Sequence, residues 1–204
     1  MSKRERVSPV DTAWLRMDRP TNLMMIVGVM IFDGPMDYER LRRTLETRLL
    51  PYRRFRQRVE YDATGAAHWV DDPDFDLDRH LHHAALPTGD HKAELQKMAA
   101  DLLSIPLDPN RPLWSYHLVD NYDGGSALVA RIHHCIADGI ALIGVMLSLT
   151  DSSADAAERP GLPPEMDGKD GPDSFFWNRV FEPVTQGVIT AINVGTQAWL
   201  KYFE

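Results

Sequence analysis

The sequence predicts an α+β fold, a mixed and largely antiparallel sheet flanked by helices. Three observations predict it. Apolar or alternating runs of strand length recur along the chain, two pairs of runs are joined by short turn-forming segments, and stretches with apolar residues at helical spacing lie between them. At 204 residues, 44% hydrophobic and 25% charged, the chain can bury one sizeable core and has none of the bias of a disordered or disulfide-scaffold protein.

Ser8-Pro9 opens a short helix to about Met17, with Ser as cap and Pro at the first helical position, and Pro20 lies past its end. From Asn22 to Asp33 an almost unbroken apolar run closed by Gly34-Pro35 reads as a buried strand, too short to cross a bilayer. Asp37 caps a helix with Tyr38, Leu41, Leu45 and Leu49 on one face, stopped by Pro51. Residues 55–61 and 67–70 form a hairpin through Asp62-Ala63-Thr64-Gly65. An acidic loop around Pro73 follows, and His80, His82 and His83 with Asp72, Asp74, Asp76 and Asp78 read as solvated loop rather than as a metal site.

Residues 90–104 carry Leu95, Met98, Ala99, Leu102 and Leu103 on one helical face. The proline-rich segment 107–114 is extended and leads into strands 113–119 and 126–133, separated by the turn 120–125. Residues 139–149 are apolar on all sides, which predicts a buried helix. Three regions result: a domain over 1–150, a Pro/Gly/Asp-rich linker over 151–173, and over 174–204 a helix, interrupted at Pro183, leading toward a C-terminal domain outside this chain. The apolar stripe from Trp177 to Phe203 reads as packing before it reads as a membrane-lying face.

Twenty-two Lys+Arg against thirty Asp+Glu give a net charge of -8, which argues against nucleic acid as a partner. The single cysteine, Cys135, cannot form an internal disulfide, and the charged segment Met1 to Arg6 is not followed by a signal-peptide pattern. A cytoplasmic, reducing setting is the expectation. The densest basic stretch, Arg40 to Arg58, reads either as a solvated helix face with its hairpin or as an attraction for phosphates or an anionic membrane surface.

The chemistry concentrates at His133-His134-Cys135-Ile136-Ala137-Asp138-Gly139, where a strand ends and a helix begins. Alternation along the strand puts His134 on the face of Leu128, Ala130 and Ile132, and His133 on the face of Val129 and Arg131, so the two imidazoles have different roles. A neutral imidazole can accept the proton of a hydroxyl as its oxygen attacks a carbonyl. Asp138, paired with an arginine such as Arg16 or Arg131, would pin the loop, and Gly139 suits a tight turn. Histidines on opposite strand faces chelate a metal poorly, and Cys135 reads as a small buried residue rather than a nucleophile.

His133-His134-x-x-x-Asp138-Gly139 resembles the HHxxxDG signature of the CoA-dependent acyltransferase superfamily. Ser8-Pro9-x-Asp11 with Trp14-Leu15-x-Met17-Asp18, and Asn110-Arg111-Pro112-Leu113-Trp114, are similar in order and interval to segments of the bacterial wax ester synthase/diacylglycerol acyltransferase family. The resemblance covers residues 8 to about 150. It implies one half of a chloramphenicol acetyltransferase-like fold, with the active site in a channel shared with a C-terminal half of the same enzyme. It also implies transfer of a long-chain acyl group from acyl-CoA, a substrate rather than a bound cofactor, to a fatty alcohol or a diacylglycerol, giving wax ester or triacylglycerol. By position, His134 is the general base, His133 its neighbour and Asp138 the loop anchor. Neither a metal nor a covalent acyl-enzyme is needed, and a peripheral place at a membrane or lipid droplet fits such substrates. Pro112, Leu113 and Trp114 then seat the strand, with a substrate contact as the second reading. Two alternatives stay open: a condensation-type acyltransferase acting on a carrier-bound thioester, and a non-catalytic lipid-binding protein of the same fold.

Overall fold

The computed structural model describes residues 4–136 and 139–151. The linker and helix expected over 151–173 and 174–204 lie, from residue 152 on, outside the described residues. In chain order the elements are β1 (Glu5–Arg6), α1 (Pro9–Met17), β2 (Met25–Phe32), α2 (Tyr38–Thr44), β3 (Gln57–Tyr61), β4 (Ala67–Asp71), β5 (Leu81–Ala85), α3 (His91–Ser104), β6 (Trp114–Tyr122), β7 (Gly125–His133) and α4 (Gly139–Ser148). The capping residues predicted from sequence, Ser8 and Asp37, act as such, each accepting a backbone N–H of the first turn it precedes, and Asp90 does the same for α3.

Four strands form the main sheet in the order β2-β7-β6-β5, antiparallel except for the parallel β5–β6 pair, and β1-β4-β3 form a small antiparallel sheet. One face of the main sheet presents Trp114, Tyr116, Leu118, Leu128, Ala130 and Ile132 to Leu41, Leu45 and Leu49 and to Leu142, Val145 and Leu149 of the α4 region. The other face presents Val119, Ala127 and Val129 to Leu95 and Leu102 of α3. A third cluster, Val7, Ala67, Trp69, Leu113 and Cys135, joins the small sheet and α1 to the C-terminal end of β7. Predicted antiparallel pairing and flanking helices are both present, so the mixed α+β class holds.

Four expectations are corrected. Segment 80–85 is not a solvated loop: His80 is 3% exposed and Leu81–Ala85 is the parallel edge strand, because β6 supplies a ladder that no local signal announces. The 22–33 run is an edge strand, shorter than expected, with Val29 and Ile31 exposed at 43% and 56%. Its even-numbered residues Ile26, Met30 and Phe32 meet the large core, whereas α3 does not extend over Val29 and Ile31. The helix begun by Asp37 widens into a π turn over Leu45–Leu49, which keeps Leu45 and Leu49 inward at 0% exposure. Leu103 and Ile143, expected on buried faces, are 49% and 56% exposed because only one side of α3 and α4 meets the sheet.

In the Arg40 to Arg58 stretch, guanidinium groups have carboxylate partners within the chain. Arg42 contacts Asp78 and Glu46, Arg48 contacts Asp151 at 3.0 Å, and Arg53 grips Asp71 through two nitrogens at 2.8 and 2.6 Å. Arg54 contacts Glu5 and lies 4.3 Å over the Trp69 ring, and Arg58 contacts Glu60.

At the start of β7, Gly125 approaches β2 so closely that an added Cβ would lie 2.0 Å from the Phe32 carbonyl oxygen. Gly125→Ala must therefore push β2 and β7 apart, and we expect a loss of about 1–3 kcal/mol, typical of overpacking. The urea midpoint measures it; an unchanged midpoint would mean that the end of β2 yields freely.

Candidate active site

β7 carries the histidine pair to the edge of the third cluster. His133 is its last residue, and its N–H donates to the Leu113 carbonyl at 3.0 Å, so the segment 112–114 meets the motif directly. Pro112, Leu113 and Trp114 are buried, and the Trp114 indole N–H donates to the Phe55 carbonyl at 2.8 Å while its ring stacks on His80 at 4.5 Å. Because Trp114 pairs with Ile132, one residue before His133, its packing sets where β7 ends.

The two imidazoles have different surroundings. His133 is 3% exposed, and its Nδ1 accepts the Cys135 N–H at 3.0 Å. In the neutral ring Nδ1 is thus the acceptor and Nε2 carries the hydrogen. That Nε2 is buried, without a hydrogen-bond partner among the described residues, and lies 3.8 Å from the Asp18 carboxylate. Burial lowers the His133 pKa, Asp18 opposes the shift and His134 adds to it, so His133 is neutral near pH 7.

His134 lies just past the strand, partly exposed, its ring stacked on Trp14 of α1 at 4.7 Å and 20°. Its backbone N–H donates to the Met24 carbonyl at 2.9 Å. The ring is thus held from one side while its edge nitrogens make no side-chain hydrogen bond among the described residues, which is the state a general base needs before substrate arrives. Cys135 is 2% exposed, and burial pushes its thiol pKa up, the opposite of an activated nucleophile.

Asp138 lies outside the described residues, and so does its arginine partner question. Gly139 begins α4. Arg131, one of the two arginines considered for Asp138, is buried and donates to the Ile105 carbonyl. The histidines and aspartates of segment 72–83 do not converge, and among the described residues no group of three or more His, Cys, Asp or Glu is placed to hold a metal ion.

A cleft of about 200 Å³ opens beside the motif, with apolar walls from Leu15, Met25, Leu107 and Leu113 and polar atoms from Asp18 and His133. Asp18 was present in the sequence as the end of the Trp14-Leu15-x-Met17-Asp18 segment, but nothing local linked it to His133. Among the described residues no helix is long and apolar enough to cross a membrane.

Burial sets an acid limit on the fold. His80, His117 and His133 are each held below the ordinary histidine pKa chiefly by desolvation, His117 down to about 4. Between about pH 6.5 and 4 the unfolded chain binds protons that the native chain refuses, so stability falls as pH falls through this window. We expect a lower urea midpoint at pH 5 than at pH 7, with a shallower pH dependence in His117→Gln; equal midpoints at both pH values would contradict this.

Residues 7–196 match the family model described as the wax ester synthase/diacylglycerol acyltransferase catalytic domain. A Mycobacterium tuberculosis H37Rv protein named "Probable diacyglycerol O-acyltransferase tgs1" is 36% identical over 154 residues, covering 72% of this chain and 33% of that protein. A second from the same strain, "Probable diacyglycerol O-acyltransferase tgs3", is 31% identical over 166 residues, 78% of this chain and 60% of that one. In solved structures, a wax ester synthase/diacylglycerol acyltransferase from Marinobacter aquaeolei VT8 superposes with a TM-score of 0.64 and 25% identity, over 81% of this chain and 42% of that chain. The starter condensation domain of rhizomide synthetase RzmA shares the fold at 17% identity, TM-score 0.62, over 72% of this chain and 36% of that one. The chain thus spans a third of the tgs1 relative's length. With the family model matched over residues 7–196, well over half of its length, the chain belongs to the wax ester synthase/diacylglycerol acyltransferase catalytic domain family.

Proposed function

We propose that this chain is the N-terminal half of an O-acyltransferase that moves a long-chain acyl group from acyl-CoA to a fatty alcohol or a diacylglycerol, with His134 as general base. The observation that carries the reading is the division of labour at the end of β7. His133 is buried, neutral and tied to the Cys135 N–H, while His134 is partly exposed and supported by Trp14.

In the reaction, His134 takes the hydroxyl proton of the acceptor as the oxygen attacks the thioester carbonyl. The tetrahedral intermediate collapses, the C–S bond breaks, and the CoA thiolate recovers the proton from His134, so that ester and free CoA leave and the base is restored. Asp138 would anchor the loop after the base, and Pro112, Leu113 and Trp114 would hold the strand end. A C-terminal half completes the channel, and work at a membrane or lipid-droplet surface matches the solubility of the acceptors. The names of the mycobacterial relatives and of the Marinobacter structure support the acyl-transfer class. The condensation-domain likeness is one of fold.

The test supplies the chain, with its C-terminal half present, with radiolabelled palmitoyl-CoA and either hexadecanol or dioleoylglycerol. Labelled wax ester or triacylglycerol and stoichiometric free CoA are expected; release of CoA without ester would contradict the proposal, and binding without turnover would favour a lipid carrier.

A further inference from the structure

Asp18 is the C-cap residue of α1. A carboxylate there meets the negative end of the helix dipole, so the helix itself gives no reason for it. Its two oxygens face two parts of the site. Oδ1 accepts the Met24 N–H at 2.8 Å, and Met24 in turn offers the carbonyl that holds the His134 backbone N–H. Oδ2 stands 3.8 Å from His133 Nε2, too long for a hydrogen bond but close enough for charge–dipole attraction; the imidazole is buried, whereas the Asp18 side chain keeps 34% of its surface exposed. The His133 ring is thus held at Nδ1, which accepts from Cys135, while the buried Nε2–H, without a hydrogen-bond partner among the described residues, faces the Asp18 carboxylate in the cleft lining.

We infer that Asp18 is a positioning residue for the histidine pair: its carboxylate selects the Nε2–H form of His133 and, through Met24, fixes the backbone of His134. The inference rests on the reading of His134 as base. A carboxamide at position 18 keeps an acceptor for Met24 but loses the charge and can present N–H to N–H at His133, so it separates the two functions. A neutral His133 freed to exchange tautomers competes with the Cys135 N–H and loosens the turn that carries His134.

The experiment uses Asp18→Asn and Asp18→Glu. Nitrogen-15 spectra of histidine-labelled chain read the His133 tautomer, and steady-state turnover is measured with the C-terminal half present. In Asp18→Asn we expect the His133 signals to move from the Nε2–H form toward a mixture, and kcat to fall about 10- to 100-fold, the range for residues that orient a functional ligand from behind, with KM for acyl-CoA unchanged. Asp18→Glu should restore most of both. An unchanged tautomer, an equal fall in kcat in both variants, or loss of cooperative unfolding in Asp18→Asn would overturn the inference. So would a shifted tautomer with unchanged kcat, provided that His134→Ala is inactive. If His134→Ala turns over as wild type, the base reading fails instead, and the tautomer result still decides the role of Asp18.

Discussion

Replacing His134 with alanine is expected to lower kcat for acyl transfer by about 10²- to 10⁴-fold, the usual contribution of a positioned general base. The fold should survive. His134 is only partly buried, its backbone tie to Met24 is independent of the side chain, and the lost stacking on Trp14 is worth about 0.5–1.5 kcal/mol. His134→Phe sharpens the result, because a phenyl ring can keep the stack on Trp14 while offering no lone pair. If the imidazole acts as base, both variants lose turnover alike. If it serves as a packing surface, His134→Phe stays active and His134→Ala does not. Product formation from labelled acyl-CoA, with thermal unfolding measured in parallel, tells these apart, and wild-type turnover in both variants would remove His134 from the mechanism.

The parts of this molecule legible in its sequence are those fixed by neighbours along the chain. Ser8 and Asp37 announce their helices because the capping side chain bonds an N–H three residues on. The 57–71 hairpin and the β6–β7 pair are legible for a similar reason: a short turn closes each, and in the second Asn121, Asp123 and Gly124 accept positive φ. Strand β5 is not legible, since its parallel partner β6 lies beyond a whole helix and its own sequence, Leu81-His82-His83-Ala84-Ala85, lacks the apolar alternation of a strand. The π turn at Leu45–Leu49 escapes for another reason: the apolar spacing that marks a helix does not distinguish a local widening. At the site, the motif is readable in the sequence, whereas the place of the His134 ring is not, because it lies past the end of β7 against Trp14 of α1. The tautomer of His133 is not, because it depends on Cys135 folding back onto Nδ1 and on Asp18 arriving from α1.

Trp114→Ala is expected to be the most damaging single truncation in the described core, about 3–5 kcal/mol, the range for removing a fully buried tryptophan. The side chain is 1% exposed, packs edge-on to Phe55 and Tyr116, stacks on His80, and gives its indole N–H to the Phe55 carbonyl. Truncation opens a cavity between the 3-10 turn Arg53–Arg56 and the sheet and leaves that carbonyl without its donor. For a domain of this size the loss corresponds to a fall in Tm of roughly 10 °C. Trp114→Phe, which keeps most of the ring volume and removes only the donor, should cost about 1–3 kcal/mol. Since Trp114 pairs with Ile132 beside His133, loosening this end of β6 also loosens the end of β7 that presents the motif. Turnover in Trp114→Ala should therefore follow the folded fraction as temperature rises. A variant with wild-type Tm and no turnover would instead make Trp114 a substrate contact, and the buried segment Pro112-Leu113-Trp114 would have to be reassigned from scaffold to channel wall.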